Sequence, residues 1–149
     1  MDATTKCCSC DGRALGVALA RWGIGVVLLF AGIAKFPNVA GFANYVTSQF
    51  EKTWLPKALL VPYAYALPLA EVILGALLLL GIARNVVLFV TGLMFITLTF
   101  GQILLQQPAV FNNSMYVVVT GAILFAEAYD RCVLPLGNRR ASAPPPPPA

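Results

Sequence analysis

Charged side chains stand inside long apolar stretches of this sequence, where they could do chemistry. Arg21, Glu71 and Glu127 each lie within such a stretch. An ionisable group at membrane depth is costly unless it pairs with another group or faces a polar interior. The sequence therefore predicts an intramembrane polar network made of Arg21, Glu71 and Glu127.

The cysteines form a second group of reactive side chains. Cys7, Cys8 and Cys10 lie in the stretch "CCSC", and Cys132 follows the last apolar stretch. Three interpretations stay open: a metal site, a dithiol that exchanges electrons, and plain reduced thiols. Because adjacent cysteines chelate one metal poorly, we expect no metal site and keep all four as candidate redox thiols. The chain has no histidine, so histidine-ligated haem is excluded.

The composition is that of an integral membrane protein. Hydrophobic residues make up 59% of the 149 residues and charged residues 11%, and the mean hydropathy is +0.80. A soluble domain has roughly a quarter of its residues charged. The net charge of +4 comes from cations at the ends of apolar runs. This distribution fits anionic lipid headgroups and does not fit nucleic acid.

Four apolar segments are bounded by charged or turn residues, at about 14–36, 58–82, 86–105 and 115–134. Each is close to the roughly 20 residues that a helix needs to cross a bilayer. The predicted fold is an all-α integral membrane protein, a four-helix antiparallel transmembrane bundle with short tails. Its predicted parts are an N-terminal tail (1–13) with the cysteine cluster, the transmembrane domain (14–134) and a proline-rich tail (135–149).

The cations also predict an orientation. With four spans, both tails and the turn between spans two and three share one side, which carries six lysines and arginines against three on the other side. The positive-inside rule then places both termini in the cytoplasm. The expected location is the bacterial cytoplasmic membrane, with the first and third loops on the opposite side.

The spacing of small and polar residues indicates which helix faces pack together. Arg21, Gly25, Leu28, Gly32 and Lys35 recur at steps of four and three residues, so they share one face of the first helix. Gly75 stands on a similar face of the second segment, and we predict helix packing at Gly25, Gly32 and Gly75.

Depth along the helices suggests which charges could meet. By helical rise, Arg21 and Glu127 both lie about 10 Å from the cytoplasmic ends of their spans, and Glu71 lies about 16 Å deep. We therefore expect Arg21 to pair with Glu127, and Glu71 is a second acid within its reach if the helices are adjacent. Lys35 falls near the far surface, where we expect it to reach toward headgroups and not toward either acid.

Several of these residues occur in an order that resembles the DoxX-like family of membrane proteins. The first helix shows Arg21, Gly25, Phe30, Gly32 and Lys35, followed by "GFANYV" and "PLAEVILGALLLLGIARN" and then by a late Asn113 and Asp130. The resemblance covers about residues 15–135. It implies a four-span fold and kinship with the small membrane subunit of thiosulfate:quinone oxidoreductase and with proteins of thiol redox chemistry. Many members carry a histidine late in the third span, near the position of Gln102.

Three functions remain open at this stage, and whether the chain is an enzyme is undecided. The first is an accessory or quinone-linked component of a membrane electron-transfer system. In that case Gln102, Tyr116 and Glu71 are the candidate quinone-binding residues, and quinone is the one cofactor considered. The second is a non-catalytic subunit of a larger respiratory or photosynthetic complex, and the third is a small transporter. The first two imply other membrane protein subunits as partners, besides the bilayer itself.

Overall fold

The computed structural model describes residues 12–126, and these are entirely helical apart from short connections. A short 3-10 turn, Phe36–Asn38, separates the first two helices. The helices are α1 (Gly12–Lys35), α2 (Val39–Gln49), α3 (Lys57–Leu80), α4 (Arg84–Leu104) and α5 (Val110–Phe125).

Three stretches of helix are long and apolar enough to cross a membrane: 12–49, 57–80 and 84–104. The helices α1, α3 and α4 agree with the first three predicted spans to within two residues at each end, which confirms an all-helical membrane fold. The described part of α5 is apolar but has 16 residues, fewer than the roughly 20 that a span requires. The fourth span therefore stays a prediction. Helix α5 also begins five residues earlier than the predicted segment, inside the predicted third loop.

The first predicted loop contains the helix α2, which the sequence analysis missed. Asn38 caps this helix, since its side-chain oxygen accepts a hydrogen bond of 2.8 Å from the backbone N–H of Gly41. Pro37 lies in the 3-10 turn just before, where its missing N–H costs nothing. Helix α2 packs against α3, with Ala43 and, just beyond its end, Phe50 buried.

Helices α1 and α3 touch through their backbones. A Cβ on Gly75 would lie 2.6 Å from the backbone N of Leu29, and one on Gly32 would lie 2.8 Å from the carbonyl oxygen of Pro68. A Cβ on Gly25 would lie 3.2 Å from the carbonyl oxygen of Gly75. Small residues let helices approach closely enough for dispersion contacts along their length, which matters in lipid because the hydrophobic effect does not draw helices together there.

Helices α4 and α5 form a second closely packed pair, and the interfaces of α3 with α4 and of α1 with α5 are thinner. The core between the pairs contains Leu28, Leu78, Leu88, Phe95 and Ile123. Large apolar side chains also cover the outside of the bundle. In water such a surface would aggregate, whereas in a bilayer it faces the acyl chains.

Candidate functional site

Arg21 lies in the interior of the bundle with 1% of its surface exposed. Its Nη1 donates a hydrogen bond of 2.5 Å to the carbonyl oxygen of Leu78, in the last turn of α3. The last four carbonyls of a helix have no partner within it, and they form the negative end of the helix dipole. Arg21 therefore caps α3 from α1. Its predicted partner Glu127 lies outside the described residues, so that pairing stays a prediction.

Glu71 has its ion-pair partner in Lys35. The Lys35 Nζ lies 2.6 Å from both carboxylate oxygens of Glu71, and the two side chains are 24% and 4% exposed. The expectation that Lys35 lies beyond the reach of an acidic residue is wrong. The glycine contacts explain the error, because they place Gly32 beside Pro68 and Val72.

This register brings Lys35, three residues beyond Gly32, within about one helical turn of Glu71. Helical side chains also lean toward the N-terminus of their helix, which carries the lysine ammonium toward the middle of the bundle. Depths measured from the ends of the apolar segments ignore both the register and this lean.

A cavity of about 130 Å³ lies near this ion pair, at the end of the bundle that α2 covers. Its α2 side is formed by Phe42 and Phe50 and its α4 side by Gly101 and Gln102. The Lys35 ammonium stands 5.1 Å from the centre of the Phe42 ring, and Phe42 also lines the cavity.

Gln102 is the polar side chain of the cavity that lacks a partner. Its Oε1 is buried and accepts no hydrogen bond within the part of the chain that the structure describes. A buried acceptor left unmatched costs about 1–3 kcal/mol, so such an atom calls for an explanation. A ligand that donates to it from the cavity would provide one.

Two hydroxyls also line the cavity. The Tyr63 hydroxyl and Thr97 Oγ1 are 2.9 Å apart and join α3 to α4. Tyr63 also lies within electrostatic range of Glu71. The sequence analysis named neither hydroxyl as a site residue. Both are polar residues within predicted spans, which was the only signal the sequence offered for them.

The remaining predicted residues lie apart from this cavity or outside the described region. Tyr116 is in α5, and its ring stacks on Phe95 in the core with 5.0 Å between ring centres. The candidate redox thiols are not among residues 12–126: Cys7, Cys8, Cys10 and Cys132. Across the described residues no three His, Cys, Asp or Glu side chains gather in a way that could hold a metal ion.

Apolar helices with a charged and hydrogen-bonded interior define an integral membrane protein of the small helical-bundle class. A comparison with protein families matches residues 13–114 to "Methylamine utilisation protein MauE". The match spans more than half of the chain, and the chain belongs to the MauE family. The matched family is not the DoxX-like family, so that resemblance stays a prediction.

Neither the curated proteins nor the solved structures contain a match to this chain. The family match ties the chain to a membrane protein family of methylamine utilisation. It assigns no role to any residue.

Proposed function

We propose that this chain is an accessory membrane component of an electron-transfer system and that it binds a quinone headgroup in the cavity beneath α2. Of the three candidate quinone-binding residues, Gln102 lies in the cavity wall and Glu71 lies close by. The third, Tyr116, packs against Phe95 in the core. The observation that carries the proposal is the buried Gln102 Oε1, which lacks a hydrogen-bond partner among the described residues.

The chemistry of the cavity supports this ligand class. A cavity of about 150 Å³ is known to hold one benzene ring. This one measures about 130 Å³, so its walls must move apart to admit a quinone ring. Phe42, Phe50 and Leu67 offer apolar faces to a ring. An amide carries one acceptor and two donors, so Gln102 can bind a quinol hydroxyl through Oε1 or a quinone carbonyl through its N–H groups.

The family supports the accessory role. Its name refers to methylamine utilisation, an oxidation whose electrons must reach an acceptor, and a quinone in the membrane is an acceptor of suitable chemistry. We assign the binding of the quinone to this chain and the oxidation of the substrate to partner proteins.

The proposal is tested by purifying the full chain in a mild detergent, extracting bound quinone and measuring the ratio of quinone to protein. The wild-type protein should retain quinone and should bind an added short-tailed benzoquinone. Gln102→Leu should weaken that binding by about tenfold, the equivalent of one hydrogen bond of about 1.4 kcal/mol.

The matched control is Gln49→Leu, which changes an exposed glutamine at the same end of the bundle and should leave binding unchanged. A wild-type protein that neither retains nor binds quinone in lipid nanodiscs would refute the proposed ligand. If it also co-purified with a membrane complex, the non-catalytic structural subunit would be the better description.

A further inference from the structure

The hydrogen bond between Tyr63 and Thr97 has a defined direction. Thr97 Oγ1 donates its one hydrogen to the carbonyl oxygen of Met94 at 2.7 Å. Tyr63 must therefore be the donor in the 2.9 Å contact with Thr97. The Tyr63 hydroxyl therefore donates to the Thr97 oxygen, which itself donates to Met94, and the Tyr63 oxygen can still accept a hydrogen bond.

This bond stands at the edge of the cavity, between the two closely packed helix pairs. The wall on one side comes from α2 and α3, including Phe42 and Tyr63, and the wall on the other comes from α4, including Thr97 and Gln102. Thr97 is exposed on the outside of the bundle, where the bilayer lies. The thin interface between α3 and α4 is thus a route from lipid to cavity.

We infer that Tyr63 is a ligand-binding residue of this cavity, whose hydroxyl turns from Thr97 to an oxygen of the ring that enters between α3 and α4. This inference rests on the proposed function. The exchange replaces one neutral hydrogen bond by another, so its net energetic cost is small. The exchange also breaks the Tyr63–Thr97 hydrogen bond, which joins α3 to α4 at the edge of the cavity.

Tyr63 and Gln102 then form hydrogen bonds with the two oxygens at opposite ends of the ring. The tyrosine donates to one ring oxygen, and the glutamine contacts the other through Oε1 or through its N–H groups. A ligand with two oxygens on opposite sides of one six-membered ring satisfies both residues, as quinones and quinols do. An apolar tail can remain in the lipid between α3 and α4.

The experiment compares Tyr63→Phe with Thr97→Val, because each removes the bond between the helices but only the first removes the hydroxyl that we assign to the ligand. Binding of a decyl-tailed benzoquinone is measured in nanodiscs by its quenching of tryptophan fluorescence. Thr97→Val should bind about tenfold more tightly than Tyr63→Phe, because the first change leaves the Tyr63 hydroxyl free to donate to the ligand and the second removes it. The wild type must first break the bond to Thr97, so its affinity should not exceed that of Thr97→Val. Tyr65→Phe, an exposed tyrosine on the same helix, is the control and should match the wild type.

Thermal unfolding of each variant, without ligand, separates folding from binding. If Tyr63→Phe binds as tightly as Thr97→Val, the inference is wrong although the proposed function stands. If Thr97→Val loses as much affinity as Tyr63→Phe, the hydroxyls only hold the helices together and the inference is again wrong. If the wild-type protein binds no quinone, the proposed function itself fails.

Discussion

The ion pair of Lys35 and Glu71 is a costly feature for a membrane protein to retain. Each charge must leave water, and their attraction repays that cost only in good geometry. Here one ammonium lies 2.6 Å from both carboxylate oxygens, and Phe42 covers it. The pair also fixes the register of α1 against α3, since a slip by one turn would separate the two charges.

Removing one partner of this pair should destabilise the bundle more than removing both. Lys35→Leu leaves the Glu71 carboxylate buried without its cation, and we expect a loss of about 3 kcal/mol. The double variant Lys35→Leu with Glu71→Leu should regain a large part of this loss. Unfolding by denaturant in mild detergent measures both.

The exposed pair of Lys57 and Glu51 is the control for this prediction, because its side chains are 66% and 59% exposed. Lys57→Leu should cost less than about 1 kcal/mol. If Lys35→Leu lowered the free energy of unfolding as little as Lys57→Leu, or if the double variant were less stable than Lys35→Leu alone, the buried ion pair would not stabilise the contact of α1 with α3.

At the scale of the helices, the contact between α1 and α3 should tolerate almost no added volume. Gly75→Ala would place a methyl group 2.6 Å from the backbone N of Leu29, and a backbone cannot turn aside as a side chain can. We expect a destabilisation of about 1–3 kcal/mol or more, measured by the same unfolding method.

Gly23→Ala is the matched control, because a Cβ at Gly23 would have no atom within 4 Å. Alanine is the better helix former by about 0.5–1 kcal/mol, so this variant should be as stable as the wild type or more stable. Equal behaviour of the two variants would contradict the close approach of α1 and α3.

The sequence predicts well the helices that cross the bilayer. Apolar runs gave the first three spans to within a few residues, because the bilayer sets both their length and their composition. Helix α2 was missed since it is short and lies between two spans, where polar residues are typical of loops. Its signal was local: Asn38 as the capping residue of the apolar stretch that follows.

The candidate site was less predictable from the sequence, because it depends on the register between helices. Gln102 was found from its place within an apolar run. Tyr63 and Thr97 were not, since their contact exists only when α3 and α4 pack at one particular offset. Lys35 was misplaced for the same reason. Tertiary packing, and not residue type, decides these contacts.

For the whole molecule, the number of spans decides whether the two tails lie on the same side of the membrane. Helices α1, α3 and α4 meet the length that a span needs, whereas the described part of α5 has 16 residues. With four spans, the cation count places both tails in the cytoplasm. The two sets of cysteines flank the spans at opposite ends of the chain, so they can report the answer.

We predict that two variants, one retaining only Cys8 and the other only Cys132, both resist a membrane-impermeant maleimide in intact cells and both react after lysis. An even number of spans puts the two tails on the same side, and the positive-inside rule makes that side the cytoplasm. With three spans the tails would lie on opposite sides, and one of the two variants would react without lysis. If both reacted in intact cells, four spans would stand with the orientation reversed. The thiols would then face an oxidising compartment, in which a disulfide becomes the expected state.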